Sequence, residues 1–188
     1  MLQNEQKIWE QIRTGDSKAL ALLFNNTIDR LYQFGIKFTD DNEIVKDCIQ
    51  ELFIKLHTNH ANLPAVNNPL FYLFRSLKNK LIDMLQQKEK LVFFPTHELP
   101  FLLKLTYDNP EEEKDEDIKE KFEKAISLLS DRQKEAVYLR FQAEMSYDEI
   151  SVILNINYQS ARNLIHRAIE KIRTEINLKL FISILVNI

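Results

Sequence analysis

Glycine is almost missing from this chain: 2 of 188 residues, alongside 5 prolines. A sandwich or barrel of many short strands needs far more turn-formers than that. A single cysteine, Cys48, excludes an internal disulfide framework and any multi-cysteine zinc or iron–sulfur site. No apolar run reaches the roughly 18 residues a membrane-spanning helix needs, and Met1–Glu10 lacks the apolar core of a signal peptide. The expectation is a cytoplasmic protein without membrane insertion. No Ser/His/Asp constellation and no Gly-rich phosphate loop occurs, so no catalytic residue and no cofactor is expected. His57 and His60 stand three apart with no third ligand in view, so no metal is expected either. What remains is rich in Leu, Ile, Lys, Glu, Gln and Asn. Those residues favour helix, so the expected fold is all-α, and 45% apolar with 28% charged residues is the balance of a folded soluble protein.

The net charge of −3 is unevenly spread. Residues 1–88 carry 11 basic and 10 acidic side chains, and residues 119–176 carry 10 and 9. Residues 89–118 carry 3 basic and 9 acidic ones, centred on Asp108–Asp117. A like-charged run containing a proline stays solvated. It reads as an acidic linker between two helical lobes, with a charged helix start from about Asp115 as the alternative for its end. Residues 177–188 form an apolar C-terminal tail, too short to span a membrane and suited to a terminal helix on the second lobe.

Four helices are predicted in the first lobe. One lies near Glu5–Arg13 and stops at Thr14-Gly15. Asp16 or Ser17 caps the next, whose apolar stripe is Leu20, Leu23, Phe24, Ile28, Leu31, Phe34 and Phe38. The third runs from about Asn42 to Leu56. A polar stretch, His57–Asn68, follows. Asn68 then caps a fourth helix with Pro69 at its first position, running to about Gln87.

The second lobe is better punctuated. Ser130-Asp-Arg-Gln133 and Ser146-Tyr-Asp-Glu149 are two capping boxes. The second opens a short helix ending near Leu154. Asn155-Ile156-Asn157 makes a turn, and another helix runs to about Ile176. A short helix, a three-residue turn and a longer helix have helix-turn-helix lengths. The longer helix turns Ala161, Ile165, Ala168, Ile169 and Ile172 inward. Outward it carries Tyr158, Gln159, Ser160, Arg162, Asn163, His166 and Arg167. Arg, Gln, Asn and Ser match base edges in the major groove. On spacing alone, a DNA reader and a solvated αα-hairpin fit equally.

The residues then resemble a family. Ser146-Tyr-Asp-Glu-Ile-Ser-Val-Ile-Leu154 with Tyr158-Gln-Ser-Ala-Arg-Asn-Leu-Ile-His-Arg-Ala-Ile169 is similar to the promoter-reading helix-turn-helix of sigma-70-type RNA polymerase sigma factors, the extracytoplasmic-function (ECF) class above all. Leu129–Val137 resembles that family's preceding helix. Asp47-Cys-Ile-Gln-Glu-Leu-Phe53 resembles its polymerase-docking helix, and Phe71–Asp83 its promoter-melting helix. Gln159-Ser160-Ala161 stands where the family commonly has Gly-Thr-Val, Asn155 where it commonly has glycine, and Leu164 at an often basic position.

The resemblance implies a non-enzymatic sigma factor that gives core RNA polymerase its promoter specificity. It implies a sigma-2-like domain at 1–88, the linker at 89–118, a sigma-4-like domain at 119–176 and the tail. Asp47, Gln50, Glu51 and Lys55 would contact core polymerase. His57, Asn59, His60 and Asn62, in the loop that captures a flipped base, would read the −10 element with Tyr72, Arg75, Lys78, Asn79 and Lys80 of the melting helix. Tyr158, Gln159, Ser160, Arg162, Asn163, His166 and Arg167 would read the −35 element. The linker would follow the polymerase's RNA path. An anti-sigma factor is a further partner for which the resemblance leaves room. The rival readings are a dimeric helix-turn-helix repressor, which leaves the first lobe unexplained, and a helical adaptor, which leaves Gln159–Asn163 unexplained.

Overall fold

A computed structural model describes residues 2–88, 101 and 116–186. Those residues form α-helices and one short 3-10 turn, with no strand among them. The chain divides into two compact units, Met1–Pro95 and Thr96–Ile188.

The first unit holds α1 (Leu2–Arg13), α2 (Ser17–Gly35), α3 (Asn42–Thr58) and α4 (Pro69–Lys88). Polar caps set the starts of α2, α3 and α4. The Asp16 carboxylate accepts from the backbone N–H of Lys18 and Ala19, and that of Asp41 from Glu43 and Ile44. Asn68 Oδ1 accepts from the N–H of Phe71 at 3.1 Å, the cap predicted before Pro69. The α1–α2 turn depends on Gly15, at φ +91°. The core gathers Trp9, Leu23, Leu31, Phe34, Ile49, Leu73, Phe74 and Leu77, all within 2% of full burial. Phe34 packs against both Phe38 (4.9 Å) and Phe74 (4.6 Å). Gly35 lets α3 come close: a Cβ there would run into Val45 Cγ1.

The second unit holds α5 (Glu116–Ser127), α6 (Asp131–Phe141), α7 (Tyr147–Ile153), α8 (Tyr158–Glu175) and α9 (Leu178–Val186). Both capping boxes form as read, at Ser130/Gln133 and Ser146/Glu149. Asn155 takes the left-handed conformation (φ 50°) in the turn, and Asn157 caps α8 by accepting from Ser160 N–H at 2.7 Å. α8 is the central helix, packed on α5, α6, α7 and α9. Its buried stripe is Ala161, Ile165, Ala168 and Ile172, while Ile169 is only half-buried. The terminal helix α9 stacks Phe181 on Phe122 at 4.9 Å.

Most of the acidic linker lies outside the described residues. One described part differs from a free solvated connection: Phe101 is fully buried, edge-on to Tyr138 at 5.5 Å. α5 begins at Glu116, which matches the alternative of a charged helix start from about Asp115.

Candidate docking and nucleic-acid surfaces

The α3 stripe Ile44, Val45, Cys48, Ile49, Leu52, Phe53 and Leu56 faces inward. The 3.6-residue period therefore leaves Asp47, Gln50, Glu51 and Lys55 exposed on the other side. Leu52 and Phe53 are buried, at 4% and 7% exposure. Between α2 and α3 runs an apolar groove of about 680 Å³ floored by Phe24, Ile28, Tyr32, Ile49 and Phe53, with Gln50 at its edge. Ile54 beside it is 53% exposed, an apolar side chain left open to water. Burial pushes the Cys48 thiol up to about 11, so it stays protonated and serves as core.

A second concavity of about 480 Å³ lies between α3, α4 and the loop that joins them. Asn59, Asn62, Tyr72, Asn79 and Lys80 line it together with Glu51 and Lys55. Residues assigned from sequence to separate docking and −10 groups thus meet in one place. Glu51 forms an ion pair with Lys80 across it.

Four expected −10 residues are placed otherwise. Lys78 is 2% exposed, so it does not offer its charge to a phosphate. It stands four residues after Phe74 and three before Leu81, inside the buried stripe of α4, and its ammonium lies 6.0 Å from the Phe38 ring centre. His60 is half-buried in the one-turn 3-10 helix His60–Asn62, its ring against Gly15 and its Nδ1 3.5 Å from the Arg13 carbonyl oxygen. His57 borders the α2–α3 groove instead of the concavity that holds Asn59 and Asn62. Arg75 is exposed and lines neither.

In the second unit the placement follows the sequence pattern closely. Tyr158, Gln159, Ser160, Arg162, Asn163, His166 and Arg167 are all exposed on α8. Gln159 Nε2 donates to Asn163 Oδ1 one turn on, at 3.1 Å. Glu170 pairs with Arg173 at 3.3 Å. The side chains of Arg162 and Arg167 make no hydrogen bond or ion pair among the described residues. Lys171 is occupied: its Nζ donates to the Leu128 carbonyl (2.8 Å) and to Gln133 Oε1 (3.0 Å). Two α6 arginines hold α7, and the sequence pattern did not single them out. Arg132 donates to the Leu154 carbonyl (2.9 Å), and Arg140 to that of Met145 (2.8 Å). Arg140 also lies 5.0 Å from the Tyr147 ring, which meets Tyr158 edge-on at 6.1 Å.

Residues 23–91 match the family described as sigma-70 region 2, and residues 119–172 match sigma-70, region 4. The chain belongs to the sigma-70 family, in its ECF group. It is a sigma factor, directing RNA polymerase to promoters. This sigma factor is 26% identical over 160 residues to the ECF RNA polymerase sigma factor SigM of Bacillus subtilis, covering 80% of this chain and 96% of that protein. It is 24% identical over 175 residues to SigW of the same organism, covering 89% and 94%. Its fold matches that of the sigma factor RpoE from Bartonella quintana, solved in complex with the anti-sigma factor NepR. That match has a TM-score of 0.57 at 18% identity, covering 84% of this chain and 96% of the other. Among the described residues no helix is long and apolar enough to cross a membrane, and no group of three or more His, Cys, Asp or Glu could hold a metal.

Proposed function

We propose that this sigma factor works in the cytoplasm without catalysing a reaction, with polymerase docking and −10 reading on its first unit and −35 reading on its second. Asp47, Gln50, Glu51 and Lys55 dock on core polymerase. The apolar α2–α3 groove beside Gln50 receives a helical segment of that partner. The concavity between α3 and α4 takes the opened −10 strand. There a base stacks on Tyr72, carboxamides of Asn59, Asn62 and Asn79 meet its edge, and Lys80 meets a phosphate, while Arg75, exposed outside the concavity, meets a phosphate further along the strand. α8 enters the major groove of the −35 element, with Gln159, Ser160, Arg162 and Asn163 towards bases and His166 and Arg167 towards the backbone. The acidic linker passes along the polymerase's RNA path. The same α2–α3 face suits an anti-sigma factor that competes with polymerase.

The observation that carries this reading is the outer face of α8, where Arg162 and Arg167 keep their donors uncommitted while the neighbouring Lys171 and Arg173 are engaged within the fold. Transcription by core polymerase with this protein, from a library randomised in the −10 and −35 regions, tests it. Enriched bases at both regions are expected. A library enriched at only one removes the reading of the other unit.

A further inference from the structure

α1 carries none of the residues expected to touch polymerase or DNA, yet two of its side chains cross about fifty positions of sequence to reach one loop. Trp9 Nε1 donates to the Pro64 carbonyl at 2.9 Å. One turn on, Arg13 Nε donates to the Leu63 carbonyl at 2.9 Å. Trp9 is completely buried, the sole tryptophan of the chain, and its ring lies 5.0 Å from that of Tyr72. It therefore touches both the loop and the aromatic wall of the α3–α4 concavity.

The α1–α2 turn adds a third hold. Its Gly15 is so close to His60 that a Cβ would lie 3.2 Å from the ring, and the Arg13 carbonyl faces His60 Nδ1. Within the loop, Asn62 N–H donates to the Asn59 carbonyl at 2.9 Å and Leu63 N–H to that of His60 at 3.3 Å. Leu63 itself is buried. The two exposed amides, Asn59 and Asn62, thus sit on a turn whose following carbonyls are both tied to α1.

We propose that Trp9 and Arg13 are positioning residues for −10 recognition: they hold the Asn59–Pro64 loop in the conformation that captures the base. This rests on the reading of the α3–α4 concavity given above. A loop of exposed polar residues adopts many conformations when untethered, and a site that must be ordered on binding loses affinity and selectivity. Two carbonyl anchors from a rigid helix remove that cost in advance. The indole N–H and guanidinium Nε supply directional donors where an aliphatic residue could supply packing alone.

The test uses the full chain with core polymerase and promoters carrying each of the four bases at every −10 position. Trp9→Phe keeps an aromatic ring, smaller than the indole, and removes the donor. Arg13→Met keeps the stem and removes the guanidinium, and Arg13→Lys restores one donor. Glu10→Ala, which removes only the exposed ion pair on Arg13 Nη1, is the neutral control. Open-complex formation is followed beside core affinity and melting temperature. Trp9→Phe and Arg13→Met should each reduce the base discrimination at one −10 position about fivefold, the factor for one net hydrogen bond. Core affinity and −35 preference should stay unchanged, and Arg13→Lys should recover part of the loss. If both variants keep the wild-type profile while Asn59→Ala or Asn62→Ala alters it, the proposal falls and the base-capture reading stands, whatever the melting temperatures. If the asparagine variants also leave the profile unchanged, the base-capture reading fails and takes the proposal with it.

Discussion

Glu51 on the exposed side of α3 forms an ion pair with Lys80 of α4, so a residue proposed for polymerase docking is held by one proposed for the promoter strand. Reversing Glu51 would set like charges together and disturb both surfaces. Asp47 lies one turn earlier on the same helix and is exposed. Asp47→Lys with Gln50→Ala should therefore lower core polymerase binding by about 2–5 kcal/mol, the range for losing one partner of a charge pair buried at an interface. Helix content and melting temperature should stay the same. Unchanged pull-down of core polymerase would remove this face from the docking surface.

The reader helix should yield two separable kinds of mutant. Arg162 lies in the first turns of α8, where paired hydrogen bonds to a guanine are geometrically accessible. Arg162→Ala should cost about 1–3 kcal/mol at one −35 position and relax the preference there. Arg167 lies more than a turn further on. Arg167→Ala should weaken all −35 sequences alike and reduce the salt dependence by about one phosphate contact. The two base-preference profiles, measured on randomised −35 elements, distinguish them. A wild-type profile for Arg162→Ala would pass the reading role to Ser160 or Asn163.

Much of this architecture follows from local rules. Asp16, Asn68, Ser130, Ser146 and Asn157 cap the helices that their positions announce, and the α8 stripe faces inward within one residue of the pattern. What the resemblance misplaced were polar residues that the fold covers. Lys78 has the spacing of Phe74 and Leu81 and is buried with them, although its charge suggests a phosphate contact. His60 looks like a loop side chain free to meet a base, but it packs on Gly15, 45 positions earlier. The α1 anchors on Leu63 and Pro64, and the burial of Phe101 against Tyr138, are likewise contacts between distant positions. No local pattern encodes them, because spacing reports the face of an element and not what covers it.

Gly35 tests the packing of the first unit. The space a Cβ would need is taken by Val45 Cγ1. Gly35→Ala should destabilise by about 1–3 kcal/mol, as overpacking does. Adding Val45→Ala, which removes the clashing methyl groups, should recover part of the loss relative to Val45→Ala alone. Additive effects in chemical denaturation would contradict the contact.

Two buried groups give opposite responses at alkaline pH. Burial lowers the Lys37 pKa from 10.5, so the folded state disfavours its charge. This penalty is complete below the folded-state pKa and disappears as pH rises towards 10.5, where stability gains. Lys37→Met should raise the denaturation midpoint at neutral pH and remove that gain. Cys48 works in the other direction, its pKa raised from 9.0 to about 11. Its contribution is complete below pH 9.0 and is lost as pH rises towards about 11. Cys48→Ala should flatten that loss. Denaturation curves from pH 7 to 11 check both signs, and alkylation of Cys48 at neutral pH should proceed only at the rate of unfolding.

This sigma factor reads promoters as a subunit of polymerase. Run-off transcription with purified core polymerase, beside duplex binding by the protein alone, tests it most directly. Specific transcripts and open complexes should form only when protein and core are combined, with the isolated protein binding promoter duplex weakly. Tight, sequence-specific binding by the protein alone, unchanged by core polymerase and yielding no transcript, would contradict the account and favour a repressor.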